Sequence, residues 1–135
     1  MAYWLLSFWG LSFSEDQVWE ALEHAQIADE VNSMPMKLDT VLSQGATNIS
    51  GGQRQRIAIA RAFIIKPKIL LMDEATSALD TFTENEILKE INNLEDKTIF
   101  SISHRMNTLK YCDKIYHLEN GKIIDEGDFQ KFKDK

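Results

Sequence analysis

The sequence predicts an α/β domain in which helices cover a mostly parallel sheet and a β-hairpin lies near the C-terminus. Residues 69–72 form a continuously apolar run, which is typical of a strand buried on both faces by helices. Residues 98–103 predict a second buried strand, and a helical pattern separates the two, an order typical of a layered α/β domain. Asn120 and Gly121 favour a tight hairpin.

The first helix is predicted to begin after Ser14, because Ser14 and Gln17 have the spacing of a capping box. The apolar residues that follow at helical intervals are Val18, Leu22 and Ala25. This pattern predicts a helix over about residues 15–31. The next segment, residues 32–48, is rich in small polar residues and predicts mostly irregular structure with one short element.

Ser50 is predicted to open a second helix that Pro67 stops, since the residue before a proline is disfavoured in helical conformation. Its buried stripe is expected to consist of Ile57, Ala60 and Ile64. A third helix is predicted behind a capping box that begins at Thr83 and ends at Glu86. Its apolar residues are Ile87, Ile91 and Leu94.

The C-terminal part predicts a strand over residues 114–118, a second hairpin strand at Ile123 and Ile124, and a short charged helix over residues 128–135. At the other end, residues 1–13 are uncharged and apolar but lack the basic region and cleavage site of a signal peptide. A buried strand or an interface segment is expected there. The alternative is the start of a chain whose upstream part is missing.

The composition excludes several classes of protein. The chain has 15 basic and 21 acidic residues and a net charge of −6, which argues against binding nucleic acid through bulk positive charge. An apolar fraction of 44% excludes a disordered protein. The single cysteine, Cys112, permits no internal disulfide and is typical of a reducing compartment, and no apolar stretch is long enough for a membrane-spanning helix.

The start of the second predicted helix could bind an anion. Ser50, Gly51 and Gly52 would expose unpaired backbone N–H groups at the positive end of the helix dipole, and glycine lets a phosphate approach closely. Taken alone, the same residues are equally typical of an ordinary helix cap.

Two carboxylates follow the first buried strand, at the edge where open α/β sheets bind ligands. Asp73 could hold Mg²⁺ through water, because this ion prefers oxygen ligands and keeps much of its hydration. Glu74 could orient and deprotonate a water that attacks a phosphate. The alternative is a strand that ends in solvated charges.

A histidine follows the second strand at the same edge. His104 could donate a hydrogen bond to a terminal phosphate oxygen, although a lone histidine after a strand is more often a surface residue. His24 and His117 are expected to be surface residues only. Residues 77–80, taken alone, predict a loop and a helix cap.

The chain carries residues 50–53, the strand that ends in Asp73 and Glu74, residues 77–80 and His104 in this order. Together they resemble the nucleotide-binding domain of ABC transporters over about residues 14–127. The resemblance implies that the signature motif, which contacts nucleotide in the opposite subunit, consists of Ser50, Gly51, Gly52 and Gln53. It implies that the D-loop consists of Ser77, Ala78, Leu79 and Asp80. Asp73 and Glu74 resemble the end of Walker B, and His104 resembles the switch histidine.

The resemblance also implies a domain organisation within a partial P-loop NTPase-like fold. Residues 14–66 would form the helical subdomain that ends in the signature helix, and residues 67–135 the C-terminal part of the ATPase core, with residues 1–13 as an atypical N-terminal segment. Residues 34–45 are similar to the exporter segment that lies against transmembrane domains, although Ser43 and Gln44 stand where the family commonly carries a glutamate.

The sequence has no P-loop pattern G-x-x-x-x-G-K-[ST], since its only Gly-Lys pair, at Gly121, lies in the predicted hairpin. No Q-loop glutamine is found either, because the first glutamine, Gln17, belongs to a capping box. We therefore expect the C-terminal part of a nucleotide-binding domain, produced by truncation, a frameshift or a split gene. The strands at Ile69 and Ile99 should then have unpaired edges and exposed apolar surface.

The function that the resemblance implies is an ATP-binding and ATP-hydrolysing subunit of an ABC exporter, which uses ATP and Mg²⁺ and drives transport when complete. Its expected partners are a second nucleotide-binding domain, in a homo- or heterodimer, and transmembrane domains at the cytoplasmic face of a membrane, with no nucleic acid. One alternative is a non-catalytic remnant that lends its signature face to another subunit. Another is an ATPase of DNA repair or chromosome maintenance, which no heptad tract, zinc-type cysteine cluster or basic face supports.

The 135-residue chain on its own is expected not to hydrolyse ATP at a useful rate. Without a P-loop it lacks the backbone amides and the lysine that cradle the phosphates. The measurement is phosphate release by the purified chain with Mg²⁺ and ATP. Turnover near about 1 s⁻¹ that Glu74→Gln abolishes would contradict this expectation.

Overall fold

The computed structural model describes residues 12–133, so the interpretations of residues 1–11 and 134–135 lie outside the described residues. The helices and strands follow one another as α1 (Glu15–His24), α2 (Ala28–Ser33), α3 (Gly51–Ile65), β1 (Ile69–Asp73), α4 (Thr81–Asn92), β2 (Thr98–Ile102), α5 (Met106–Leu109), β3 (Ile115–Glu119), β4 (Lys122–Gly127) and α6 (Phe129–Lys133). This architecture confirms the predicted α/β class. Within residues 12–133, no helix is long and apolar enough to cross a membrane.

The first helix begins as predicted but ends early. Ser14 Oγ accepts a hydrogen bond from the Gln17 N–H at 3.3 Å, and Gln17 Oε1 accepts one from the Ser14 N–H at 2.9 Å, which completes the capping box. The prediction of one helix over residues 15–31 is wrong, because Gln26 adopts a left-handed φ of 56° and separates α1 from α2. This break turns Ile27, which is 1% exposed, into the core.

The segment between α2 and α3 differs modestly from its prediction. It is largely irregular, as expected, but it holds two single-turn 3₁₀ helices, Lys37–Asp39 and Gln44–Ala46, rather than one short element. Leu38 of the first turn is buried in the core. This contact fixes the path of the chain toward α3.

The core lies where α1, α2 and α4 pack around α3 and one face of β1. The predicted stripe of Ile57, Ala60 and Ile64 is buried, as are Ile59 and Phe63 on the same helix. Burial around so much of its circumference makes α3 the central helix of the described residues, because a helix that is apolar on most sides must be covered on most sides.

Asp80, rather than Thr83, caps α4. Asp80 Oδ1 accepts hydrogen bonds from the N–H groups of Phe82 at 3.1 Å and Thr83 at 3.0 Å. The predicted capping box from Thr83 to Glu86 is therefore wrong, since Asp80 already binds these first-turn amides and Glu86 pairs with Lys89 instead. The Thr83 backbone N–H and hydroxyl stabilise the charged form of Asp80, so the pKa of this carboxyl lies below its usual range.

Two separate pairs of strands form. β1 and β2 pair in parallel, from Ile69 opposite Thr98 to Asp73 opposite Ile102. β3 and β4 form the predicted antiparallel hairpin, in which Asn120 and Gly121 both have positive φ, at 49° and 75°. Those angles are typical of the tight turn that an Asn-Gly dipeptide favours.

The parallel pair is covered on one face only. Met72 is buried and Leu70 and Ile99 pack against the core, whereas Leu71 is 75% exposed and Ile102 65% exposed. The prediction that both faces are buried is wrong for the described residues, because α3 and α4 lie on the same side of the strands. The expected apolar surface is confirmed, and its exposed members on the two strands are Ile69, Leu71, Phe100 and Ile102.

One-sided burial predicts unequal effects for equivalent truncations. Ile87→Ala on α4, where the side chain is fully buried, should lower the free energy of unfolding by about 2–4 kcal/mol. Leu71→Ala on the exposed face of β1 should change it by less than about 0.5 kcal/mol. Urea unfolding followed by circular dichroism measures both values, and equal losses would contradict one-sided burial of the sheet.

Candidate functional site

Ser50 caps α3 with a second complete capping box. Its Oγ accepts a hydrogen bond from the Gln53 N–H at 3.1 Å, and Gln53 Oε1 accepts one from the Ser50 N–H at 2.8 Å. The first-turn amides of Gly51 and Gly52 have no acceptor within the helix, as at any helix start, and Ser50 and Gly51 are exposed. This end of α3 can therefore accept an anionic ligand from outside the chain.

An ion pair between α2 and α3 supports this helix start. Glu30 accepts a hydrogen bond from the Gln53 side chain at 2.7 Å and pairs with the Arg56 guanidinium at 2.6 Å. Burial raises the pKa of Glu30, but the hydrogen bonds from Gln53 and Arg56 outweigh it and hold the pKa below its usual value. Arg56 also donates to the Gln26 carbonyl at 2.7 Å, so the break between α1 and α2 supplies an acceptor for it.

Asp73 and Glu74 lie at the carboxyl end of β1, and His104 follows β2 at the same sheet edge. Asp73 is the last residue of β1 and is exposed, and the Glu74 N–H extends the ladder by donating to the Ile102 carbonyl at 2.9 Å. Glu74 then leaves the strand with a left-handed φ of 46°, which is uncommon for a residue with a side chain. His104 Nδ1 lies 2.9 Å from Glu74 Oε1.

The Glu74–His104 pair is accessible to a ligand, with 49% of the Glu74 side chain and 74% of the His104 side chain exposed. Because an ionised carboxylate only accepts hydrogen bonds, Nδ1 must carry a proton in this contact. A neutral His104 then has an unprotonated Nε2. It can donate from Nε2 only as an imidazolium, or donate Nδ1–H elsewhere by leaving Glu74.

Residues 77–80 lie beside the start of α3. A Cβ atom added to Gly52 would lie 3.3 Å from the Ala78 carbonyl oxygen, and Leu79 is buried next to it. The Gln55 side chain bridges α3 to the same loop. A chain of contacts thus connects the four predicted motifs. Gly52 packs against Ala78, Gln55 next to the signature residues binds the Glu74 carbonyl, and Glu74 contacts His104.

A buried ion pair that the sequence patterns did not reveal lies beneath this loop. Glu84 is fully buried, and its Oε1 accepts from the Thr76 hydroxyl at 2.8 Å and lies 3.1 Å from the Arg105 guanidinium. Arg105 also donates to the Thr76 carbonyl at 3.0 Å. The sequence pattern places Glu84 only inside the predicted capping box from Thr83 to Glu86. The one sequence feature that could have indicated this ion pair is Arg105, a basic residue directly after His104.

A cavity of about 340 Å³ lies between α3, β1 and α4. It is mostly apolar, and Gln55 and Asp73 are its polar lining residues. Ser50, Glu74 and His104 do not line it. The Glu74–His104 pair lies outside this cavity with both side chains partly exposed, and among the described residues no cluster of three or more metal-binding side chains is found.

Comparison with known proteins agrees with this geometry. A model of the ABC transporter family matches residues 10–77. The lactococcin-G-processing and transport ATP-binding protein LagD of Lactococcus lactis is 41% identical over 120 residues, which cover 89% of this chain and 17% of the relative. An ATP-dependent lipid A-core flippase of Desulfotalea psychrophila is 41% identical over 121 residues, which cover 89% of this chain and 21% of the relative.

A solved structure agrees as well. The structure of a bacterial Atm1-family ABC exporter with ATP bound superposes with a TM-score of 0.82 at 38% sequence identity. The match covers 88% of this chain and 21% of the exporter chain. The chain thus spans only 17% to 21% of the length of these three proteins.

The buried ion pair predicts a larger loss of stability than an exposed one. Arg105→Leu leaves the Glu84 carboxylate buried without its cation and should lower the free energy of unfolding by about 2–4 kcal/mol. Lys89→Leu, which removes an exposed partner of Glu86, is the control and should cost less than about 1 kcal/mol. Both are measured by urea unfolding.

The double variant Glu84→Leu with Arg105→Leu extends this test. It should recover part of the loss, because an apolar pair of similar volume leaves no buried charge. Equal losses for Arg105→Leu and Lys89→Leu would show that Arg105 contributes only as a surface residue.

Proposed function

The chain belongs to the ABC transporter family, and from this membership we propose that it supplies the signature and Walker B part of an ATP-hydrolysing domain in an exporter. The observation that carries the proposal is the 2.9 Å contact between Glu74 and His104 at adjacent strand ends. A carboxylate at this edge can orient and deprotonate a water that attacks a phosphate, and the imidazole can donate a hydrogen bond to that phosphate.

We assign ATP as the substrate, with Mg²⁺ as its cofactor. Asp73 fits this ion because it offers exposed carboxylate oxygens at the end of β1, and waters and phosphate oxygens would complete the coordination. The bound ion would neutralise charge on the phosphates. Glu74 accepts the proton of the attacking water.

His104 has two hydrogen-bond partners in this proposal, which are the terminal phosphate of ATP and the Glu74 carboxylate. While Nδ1–H donates to Glu74, the carboxylate is oriented but one of its oxygens is occupied. A phosphate that draws His104 away frees this oxygen for the attacking water. The same contact therefore orients the base before the terminal phosphate is present, while the second carboxylate oxygen stays free to accept a proton.

The signature residues act on nucleotide held by a second domain. Ser50, Gly51, Gly52 and Gln53 present the positive end of α3 on an exposed surface, where a phosphate from another subunit can approach. The partners that we propose are a second nucleotide-binding domain, as a homo- or heterodimer, and transmembrane domains. This assembly would place the chain at the cytoplasmic face of a membrane.

The exposed start of α3 also supports a second candidate function. In this role the chain is non-catalytic and contributes only the signature face to another ABC subunit. A catalytically active mixture of this chain with a P-loop-containing subunit, insensitive to Glu74→Gln, would favour this role over the first.

Two substitutions test the proposed roles in a soluble chimera of this chain with the upstream part of the Atm1-family exporter's nucleotide-binding domain. Glu74→Gln removes the base but keeps the size of the side chain, so turnover should fall about 10²-fold or more while ATP still binds. Ser50→Arg on the Glu74→Gln background adds bulk and positive charge at the positive end of α3. ATP should still bind each chimera but no longer hold two of them together.

Ser14→Arg is the matched control, because Ser14 forms the same capping box on α1. It should lose the cap of α1 and retain the ATP-dependent dimer in size-exclusion chromatography. A dimer that persists after Ser50→Arg would identify Ser50, Gly51 and Gly52 as a helix cap without a role in nucleotide binding.

A further inference from the structure

We propose that Gln55 is a positioning residue that fixes residues 77–80 against the glycines at the N-terminus of α3. Its half-buried side chain extends from α3 to the loop that follows β1. The consequence for turnover rests on the proposed function, since it concerns the segments that resemble the D-loop and the signature motif. The positioning itself is a property of this chain alone.

The amide of Gln55 makes hydrogen bonds from both of its polar atoms. Nε2 donates to the Glu74 carbonyl at 3.3 Å and to the Ser77 hydroxyl oxygen at 3.0 Å. Oε1 accepts from the Ala78 N–H at 2.9 Å. Because the Ala78 N–H can only donate and the Glu74 carbonyl can only accept, these contacts fix which way the planar amide faces.

Packing independently places the same loop against α3. A Cβ atom on Gly52 would lie 3.3 Å from the Ala78 carbonyl oxygen and 3.5 Å from Leu79 Cδ2. A Cβ atom on Gly51 would lie 3.8 Å from the Ala78 Cβ. The loop therefore packs tightly against Gly52 and in ordinary contact with Gly51, and a shift of Ala78 changes the space over the first-turn amides.

Gln55 and Arg105 hold the loop from different elements. Arg105 binds the carbonyls of Thr76, at 3.0 Å, and Leu79, at 3.5 Å, whereas Gln55 binds Glu74, Ser77 and Ala78. Without Gln55, the Arg105 contacts and the buried Leu79 side chain would still anchor the two ends of the loop. Loss of the Gln55 side-chain amide should therefore make the exposed residues Ser77 and Ala78 more mobile without unfolding the core.

Hydrogen exchange of individual amides in the full chain tests this positioning. Gln55→Met keeps an unbranched side chain of similar length and good helix propensity but removes all three hydrogen bonds. The Ala78 amide should then exchange about tenfold faster, as expected for the loss of its acceptor. The amides of Arg54 and Glu84, held by helical backbone bonds to Ser50 and Asp80, should change less than about twofold.

Two further variants make the result specific. Gln130→Met is the control, because Gln130 is an exposed glutamine on α6, and it should leave Ala78 exchange unchanged. Gln55→Glu keeps an acceptor for the Ala78 N–H and should therefore accelerate Ala78 exchange less than Gln55→Met. Unchanged Ala78 exchange in Gln55→Met, or an equal increase at Ala78, Arg54 and Glu84, would overturn the proposal.

The chimera described above tests the functional consequence separately. Gln55→Met should lower turnover about tenfold per ATP-bound molecule and leave the affinity for ATP within about twofold, since the upstream part binds the nucleotide. Unchanged turnover with a freed Ala78 amide would overturn the functional part of the proposal. A chimera of unaltered sequence that does not hydrolyse ATP would count against the proposed function, whereas the exchange measurements would still decide whether Gln55 positions the loop.

Discussion

The parallel pairing of β1 with β2 is the constraint on which the candidate site depends. Parallel strands end at the same edge, so pairing Asp73 with Ile102 brings the residues after both strands together. The hydrogen bond from the Glu74 N–H to the Ile102 carbonyl extends this ladder by one step beyond β1. A slip of one residue would place Glu74 and His104 out of reach of each other and turn their neighbours to the opposite face.

The loop after β1 is held by polar groups because its own backbone forms little regular structure. Residues 74–80 turn away from the sheet edge, so several of their carbonyl and N–H groups find side-chain partners instead. Gln55 supplies these partners from α3, and Arg105 supplies them from the segment that carries His104. Glu84 of α4 pairs with Arg105, and this pairing requires the desolvation of a fully buried carboxylate.

Local patterns predicted the parts of the fold that depend on a few neighbouring residues. The capping box at Ser14, the end of α3 near Pro67 and the Asn120–Gly121 turn all involve contacts within about four residues, which sequence spacing can show. The break at Gln26 was missed because no glycine or proline marks it. It is compensated by distant contacts, including the burial of Ile27.

Competition between neighbouring caps and contacts between distant residues account for the other errors and omissions. Thr83 and Glu86 have the spacing of a capping box, but Asp80 accepts the Thr83 N–H that the Glu86 side chain would bind, and the Thr83 hydroxyl also donates to Asp80. Glu84 and Gln55 are polar residues in helical patterns, and only the packing of α3 and α4 against the loop after β1 gives them partners. The motifs therefore predicted which residues carry the chemistry, whereas the residues that hold them in place became visible only in the three-dimensional structure.

The two glycines at the start of α3 have different physical reasons to be glycine. Gly52 faces the Ala78 carbonyl of its own chain, where an added Cβ would be tightly packed at 3.3 Å, so internal packing alone accounts for it. Gly51 is exposed, and the nearest atom to its added Cβ, at 3.8 Å, leaves ordinary space for an alanine. Packing of the described residues therefore does not require glycine rather than alanine at position 51. The phosphate approach that we propose accordingly relies on Gly51 more than on Gly52, although the motif treats the two alike.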